Sequence, residues 1–367
     1  MLTDELPLTV TPAADRMPDE ERQRVLEAPG FGQVLTDHMV TVRWVKGQGW
    51  CDAKLSAYAA LSMDPSATVL HYGQAIFEGL KAFQQHDGGI ATFRPDANAR
   101  RFQRSAARLA MPELPEDAFV NAVDALVRAD REWVPTGAEN SLYVRPFMIS
   151  TEAFLGVRPA VEYLFLVIAS PAGPYFPGGV EPVSVYISED YARAAPGGTG
   201  EAKAAGNYAA SLLAQQQAAE QGCDQVVWID AVERRYVEEM GGMNLFFVLG
   251  NGNGAELVTP ELTGTLLPGI TRESLITLAG DLGYRVTERR ITVDEWRDRA
   301  GDGSLTETFA CGTAAVITPV GQVKAATGGF TVADGGTGPI TLRLRELLLD
   351  IQHGRVADTR GWVHRVG

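Results

Sequence analysis

A single lysine stands in a run of small residues, Gly197-Gly198-Thr199-Gly200-Glu201-Ala202-Lys203-Ala204-Ala205-Gly206-Asn207-Tyr208. Alanines on both sides of it exclude a phosphate loop of the Gly-Lys-Ser/Thr kind. The glycine spacing, with no strand running into it, excludes the dinucleotide fingerprint. Small apolar neighbours would desolvate the ammonium, lower its pKa from roughly 10.4 and favour the free amine that attacks an aldehyde. A solvated lysine on a surface loop is the plain alternative.

Three more segments have residue types suited to a small anionic, aromatic ligand. In Val237-Glu238-Glu239-Met240-Gly241-Gly242-Met243-Asn244, two acids lead into glycines and a strand. Such a carboxylate can hold a protonated ring nitrogen, although paired acids more often lie on a solvated turn. Leu267-Pro268-Gly269-Ile270-Thr271-Arg272-Glu273 reads as a helix start, where the amides of Ile270 and Thr271 could cradle a phosphate or simply follow a Pro-Gly turn. Cys311-Gly312-Thr313-Ala314-Ala315 is small enough for close backbone contact with a ligand, or for a tight strand start.

The elements that position these segments follow from periodicity. Alternation over His38–Val45 predicts a strand, and Gly47-Gln48-Gly49 a hairpin turn; a second strand pair flanks His86-Asp87-Gly88-Gly89. Between Pro95 and Ala110 the pattern turns helical, with Phe102, Ala106 and Leu109 on one face, Arg101, Arg104 and Arg108 on the other, and Asp96 placed as the cap. A helix is predicted over Glu116–Trp133, then apolar strands over Leu142–Ile149 and Tyr163–Ala169, with further helices over Tyr208–Glu220 and Arg272–Leu282. The Pro- and Gly-rich stretch Ser170–Gly179 reads as a hinge. The division expected is a loosely attached arm over 1–30, an α/β domain over 31–170, a linker over 171–180 and a cofactor-binding domain over 181–367.

The whole chain narrows the function. Its 367 residues favour two domains with a cleft, and a formal net charge of -14 argues against nucleic acid or an anionic membrane as partner. Three separated cysteines without CxxC or Cys/His spacing disfavour disulfides and a metal site. With no targeting segment and no apolar run of spanning length, the expected location is the cytoplasm.

Taken in order, these four segments, together with Tyr72-Gly73-Gln74-Ala75-Ile76-Phe77-Glu78-Gly79-Leu80-Lys81-Ala82-Phe83 and Leu142-Tyr143-Val144-Arg145-Pro146, resemble the branched-chain amino acid aminotransferases of the type IV pyridoxal-phosphate fold. The similarity runs from about Phe31 to the C-terminus, and its specificity lies in the set. It implies an α/β (α+β type) enzyme of two domains, a smaller N-terminal α/β domain and a larger C-terminal domain with a β-barrel-like core, joined by an interdomain loop. The implied cofactor is pyridoxal 5'-phosphate, and the implied assembly is a homodimer with the active site near the interface.

By the same resemblance Lys203 carries the cofactor as a Schiff base and shuttles the proton, Tyr208 bonds its phenolic oxygen, and Glu239 rather than Glu238 faces its ring nitrogen. Arg101, Ile270, Thr271 and Thr313 would hold the phosphate, with Leu267 against the ring. Tyr72 and the backbone around Thr313-Ala314 resemble the α-carboxylate site, while Phe31, Phe77, Tyr143 and Met243 would line the apolar side-chain pocket. Arg145, on the same strand face as Tyr143, is implied as the cation for the distal carboxylate of glutamate or 2-oxoglutarate. Ala315 and Thr318 stand where animal members place a redox-active cysteine pair, and Gly242 where they carry a threonine; both departures resemble bacterial, particularly actinobacterial-type, members.

D-amino acid aminotransferases and aminodeoxychorismate lyases share the lysine and the acid, so the pocket residues carry the branched-chain reading. A silent scaffold of the same fold is disfavoured by the joint presence of Lys203, Tyr208, Glu239 and Arg101. No Ser-His-Asp set can be assembled from the scattered histidines.

Overall fold

The computed structural model describes residues 1–367 apart from residue 4 and residues 175–179. Two compact units emerge. The first comprises Met1–Pro174, Ala202–Ala205 and Leu349–Gly367, and the second Tyr175–Glu201 and Gly206–Leu348. The first thus takes up a short piece of the lysine loop and the C-terminal segment, which a division by position along the chain had placed with the cofactor-binding domain. The expected linker over 171–180 lies partly outside the described residues, and its first part is strand, since Glu162–Ala172 continues beyond the predicted Ala169.

In the first unit a sheet runs in the order Thr9–Val10, Gly49–Ala57, His38–Val45, Glu162–Ala172, Ser141–Ser150, Leu80–Gln84, Ile90–Phe93, Val363–Val366, with Ala75–Phe77 also on Ser141–Ser150. The hairpin predicted around Gly47-Gln48-Gly49 is present, and its register pairs Val45 with Gly49. Helices Pro95–Arg108 and Glu116–Ala129 supply the apolar cover, with a 3-10 turn over Arg131–Trp133 where one longer helix was expected. Phe102, Phe119 and Phe165 meet there, with ring centroids 5.4 to 6.0 Å apart. Aromatic packing of this kind is the main energetic content of such a layer.

Three local expectations are corrected. Asp96 does not cap its helix: Arg94 is the N-cap, in a left-handed conformation before Pro95, and Asp96 instead pairs with Arg100 at 2.6 Å. Arg101 does not share a solvated face with Arg104 and Arg108, which are exposed, because it is buried beside Phe102. The N-terminal arm is not loose. Leu2 is in the core, Leu2 O accepts from Asn121 Nδ2 at 2.7 Å, and Ala13 N donates to His38 Nε2 at 3.0 Å.

In the second unit, strands Val237–Met240, Gln225–Ile229, Val183–Ser188, Val316–Ala325, Leu305–Gly312 and Met243–Leu249 pair in sequence, and the last pairs back to the first. This closes a six-strand barrel, which leaves none of these strands as a bare edge within the ring. Glu256–Thr259 and Arg285–Glu288 extend it outside the ring. The helix predicted over Tyr208–Glu220 is broken into Ala205–Ala209 and Leu212–Glu220, the Ser211 hydroxyl donating to Tyr208 O at 2.6 Å. Helix Ile270–Asp281, with Gly269 as its N-cap, starts earlier than the predicted Arg272. Among the described residues no helix is long and apolar enough to cross a membrane, and no group of acids, cysteines and histidines could hold a metal ion.

Candidate active site

The residues singled out from the sequence fall into two groups, one on each unit. In the first, Lys203 is stitched by its main chain. Its N–H donates to Ser105 Oγ at 2.9 Å, and its carbonyl accepts from Phe77 N at 3.0 Å. Ala204 bridges to Ile76, and the Lys203 ammonium nitrogen lies 5.0 Å from the Phe77 ring centroid. Main-chain bonds on both sides fix the lysine's root against a strand.

The surroundings of Lys203 are not purely apolar. Glu78, which the sequence reading left without a role, is 0% exposed and lies within electrostatic reach of it. Arg101, 3% exposed, grips Glu78 side-on, Nε to Oε1 at 2.7 Å and Nη2 to Oε2 at 2.8 Å, while Asn98 Nδ2 donates to Oε2 at 2.7 Å. Burial alone would push the Glu78 carboxyl up, but the Arg101 guanidinium, with Lys203 and Asn98, holds it below its ordinary value. Glu78 and Arg101 form a buried, side-on ion pair.

Alternation along Ser141–Ser150 puts Tyr143 and Arg145 on one face. Arg145 Nη2 donates to the Tyr143 hydroxyl at 2.9 Å, and the guanidinium carbon lies 4.7 Å from the Phe77 ring centroid. Phe31, although 51% exposed, meets Tyr143 edge-on with centroids 4.9 Å apart. Gly79 leaves room for the Tyr143 hydroxyl, because a Cβ there would come 2.1 Å from it. Phe31, Phe77, Tyr143 and Arg145 thus form one cluster with an apolar wall and a cation.

Tyr72 is not part of that cluster. It is 43% exposed at the end of a short helix, and its hydroxyl donates to Leu155 O. Around it the first unit presents Leu70, Leu155 and Val157 to solvent.

In the second unit the two acids of Val237–Met240 point to opposite faces, as strand alternation requires. Glu239, 1% exposed, accepts from Leu267 N at 2.7 Å and Asn244 Nδ2 at 3.4 Å, and its other oxygen pairs with Arg193 Nε at 2.9 Å. Glu238 accepts from the Thr265 hydroxyl and lines a separate cavity of about 340 Å³ with Asp230, Tyr236 and Arg290. Burial pushes its carboxyl up.

Asn244 ties Glu239 to the helix start. Its Nδ2 also donates to Leu267 O at 3.0 Å, and a Cβ on Gly269 would come 2.0 Å from its Oδ1. Glycine is therefore required at Gly269, directly before the amides of Ile270 and Thr271. Asn244 also pairs across the sheet with Cys311, so the turn at Thr313-Ala314, which follows strand Leu305–Gly312, lies at that end of the barrel. A Cβ on Gly312 would come 3.2 Å from Met243 Cγ, and one on Gly242 3.3 Å from Tyr208 Cε1. Met243, Tyr208, Leu267, Ile270, Thr271, Thr313 and Ala314 are thus gathered round one rim with Glu239. Cys311 is fully buried, and that burial pushes its thiol well up, so it is chemically quiet.

Sequence reasoning missed Glu78, Asn98, Arg193 and Asn244. Glu78 and Asn244 lay inside the quoted motifs and could have been found by asking what a buried acid or amide must pair with. Arg193 had no local signal, since only the fold brings Asp190-Tyr191-Ala192-Arg193 behind Glu239.

Known proteins share this arrangement of sequence and fold. The profile of the family amino-transferase class IV matches residues 75–323. The branched-chain-amino-acid aminotransferase of Mycolicibacterium smegmatis is 60% identical over 363 residues, covering 98% of this chain and 99% of its own. Among solved structures, the branched-chain amino acid aminotransferase of Escherichia coli superposes with a TM-score of 0.73 at 28% identity, covering 89% of this chain and 99% of its own. That of Thermobaculum terrenum, solved in its pyridoxal-phosphate form, gives 0.71 at 25%, covering 90% and 98%.

Proposed function

The chain belongs to the amino-transferase class IV family, and we propose that within it the protein is a pyridoxal-phosphate-dependent branched-chain amino acid aminotransferase. It moves the amino group between L-leucine, L-isoleucine or L-valine and 2-oxoglutarate, giving the branched-chain 2-oxo acids and L-glutamate. The observation that carries the substrate reading is the Phe31, Phe77, Tyr143 and Arg145 cluster, which offers an apolar wall and a guanidinium side by side. A branched aliphatic side chain uses the wall, and the distal carboxylate of glutamate uses the cation.

The donor set fits pyridoxal phosphate. The first unit offers an amine at Lys203 and a buried guanidinium at Arg101, both facing Glu78. The second offers a buried carboxylate at Glu239 and, within the same rim, a helix N-terminus at Ile270 and Thr271 that Gly269 keeps open. When bound, the cofactor supplies an electrophilic carbon and a protonated ring that accepts electrons from the substrate Cα. Lys203 binds it and carries the proton to and from that carbon. Glu239, kept rigid by Leu267 N and Arg193, holds the proton on the ring nitrogen. Arg101, the amides of Ile270 and Thr271 and the Thr313 hydroxyl bind the phosphate. Tyr208 would donate to the cofactor's phenolic oxygen, and Leu267 would pack against its ring. By resemblance Met243 would contribute to the side-chain pocket, and Tyr72 and the backbone at Thr313-Ala314 to the α-carboxylate site.

Tyr72 fits this role through a second copy of the chain. Its exposed position among Leu70, Leu155 and Val157 marks an apolar face suited to a homodimer. The protein works in the cytoplasm, consistent with three unpaired cysteines.

Steady-state kinetics with a panel of amino donors tests the reading, alongside borohydride reduction and peptide mapping. L-leucine with 2-oxoglutarate is expected to be turned over, and borohydride to attach the cofactor to Lys203. Turnover of D-alanine but not L-leucine would move the protein to another activity of the same fold. A colourless preparation that stays inactive with added pyridoxal phosphate would make it a scaffold.

A further inference from the structure

We propose that Glu78 is a positioning residue for the cofactor, presenting Arg101 and setting the charge beside Lys203. The inference rests on the pyridoxal-phosphate reading above and gives a role to an acid that the reaction does not otherwise use.

Three observations carry it. Glu78 is fully buried, and a buried carboxylate with no charge partner is costly, so its hydrogen-bonding and charge partners are needed to keep it there. The partners are Arg101 through Nε and Nη2, Asn98 through Nδ2, and the Gly79 amide at 3.3 Å. The side-on grip fixes the guanidinium plane through those two nitrogens, so the direction in which Nη1 points is set by Glu78. Finally, the main chain on either side of the Phe77–Glu78 peptide is anchored to the reacting elements. Phe77 N donates to Lys203 O at 3.0 Å, and Glu78 N to Pro146 O at 2.7 Å, between the strand carrying Arg145 and the loop carrying Lys203.

The charged groups facing Glu78 are Arg101 on helix Pro95–Arg108 and Lys203 on the loop. Glu78 is thus the negative charge between two cations, Arg101 and Lys203. Removing it leaves Arg101 unaligned and raises the positive potential at Lys203.

The variant Glu78→Gln keeps the shape and the Oε1 acceptor and removes the charge, whereas Glu78→Asp keeps the charge and shortens the reach. Pyridoxal-phosphate affinity of the apoprotein, and the pH midpoint of the bound cofactor's absorbance change, are measured for each. Glu78→Gln is expected to weaken cofactor binding about tenfold and to lower the pH midpoint by about one unit, a tenfold change in the proton equilibrium. Glu78→Asp is expected to weaken binding but to keep the midpoint near the wild-type value, which separates alignment from charge. Asn98→Ala, touching Glu78 from the far side, is expected to shift affinity in the same direction by about threefold, and serves if Glu78→Gln does not fold.

A wild-type protein that binds no pyridoxal phosphate would overturn the functional reading itself. A wild type that binds it and is fixed at Lys203 by borohydride, while Glu78→Gln or Asn98→Ala leaves affinity and midpoint unchanged, would overturn only the role of Glu78. Loss of thermal stability in the variants with neither readout moved would likewise reduce Glu78 to a structural counter-ion.

Discussion

Each unit buries one carboxylate against one guanidinium, and the two pairs are built differently. Glu78 in the first unit is held mainly by side chains of a single helix, Asn98 and Arg101 one turn apart, both on Pro95–Arg108. Glu239 in the second is held by a main-chain amide at Leu267, a side-chain amide from the paired strand and an arginine from a separate loop. The first pair therefore depends on one helix staying in register, while the second is spread over three segments that the barrel brings together. Distributed support makes Glu239 hard to dislodge, as the proposed role at a ring nitrogen would require.

The largest expected effect comes from breaking each pair in turn. Arg101→Met should destabilise the protein by about 4 kcal/mol, because Glu78 is left buried with Asn98 and an amide. Arg193→Met should cost less, about 3 kcal/mol, since the Leu267 N–H and Asn244 still serve Glu239. Urea denaturation monitored by circular dichroism reports both, and equal losses would erase the proposed difference in support.

A middle-sized effect is the acid limb of stability. Against the push of burial, Arg101 holds the folded value of Glu78 below the unfolded one, so its contribution is fully present above about pH 4.3 and is lost as pH falls through the folded value. Melting temperature against pH should flatten on the acid side in Glu78→Gln relative to wild type. An unchanged slope would mean that Glu78 is not the ion described here.

The smallest effect concerns the neighbouring acid. Burial raises Glu238, so its folded form keeps the proton longer; the stabilisation is present at low pH and is lost as pH rises through the folded value. Glu238→Gln should then be neutral or stabilising near neutral pH, by about 0.5 kcal/mol or less, with activity retained. A large loss of activity would place Glu238 rather than Glu239 at the ring nitrogen.

Much of the site was legible because its chemistry is local. Lys203 between alanines, Gly269 before a helix start and Tyr143 alternating with Arg145 are patterns of neighbours, fixed by backbone geometry at short range. The hairpin at Gly47-Gln48-Gly49 was readable for the same reason. Where neighbours compete, the reading failed. Asp96 looked like a cap and was drawn to Arg100, while Pro95 with a left-handed Arg94 starts the helix instead.

What only the tertiary structure decided are the pairings between distant segments. The motifs of the sequence point to the aminotransferase family, and by that resemblance to Lys203 as the proposed anchor and Glu239 rather than Glu238 as the proposed acid. They do not say that Glu78 faces Arg101, that Arg193 stands behind Glu239, that the six strands close into a ring, or that Lys203 is stitched to Phe77 within the first unit. The reason is physical: a buried charge must find its counter-charge wherever the chain passes, and that place is set by the packing of the whole fold and not by nearby residues.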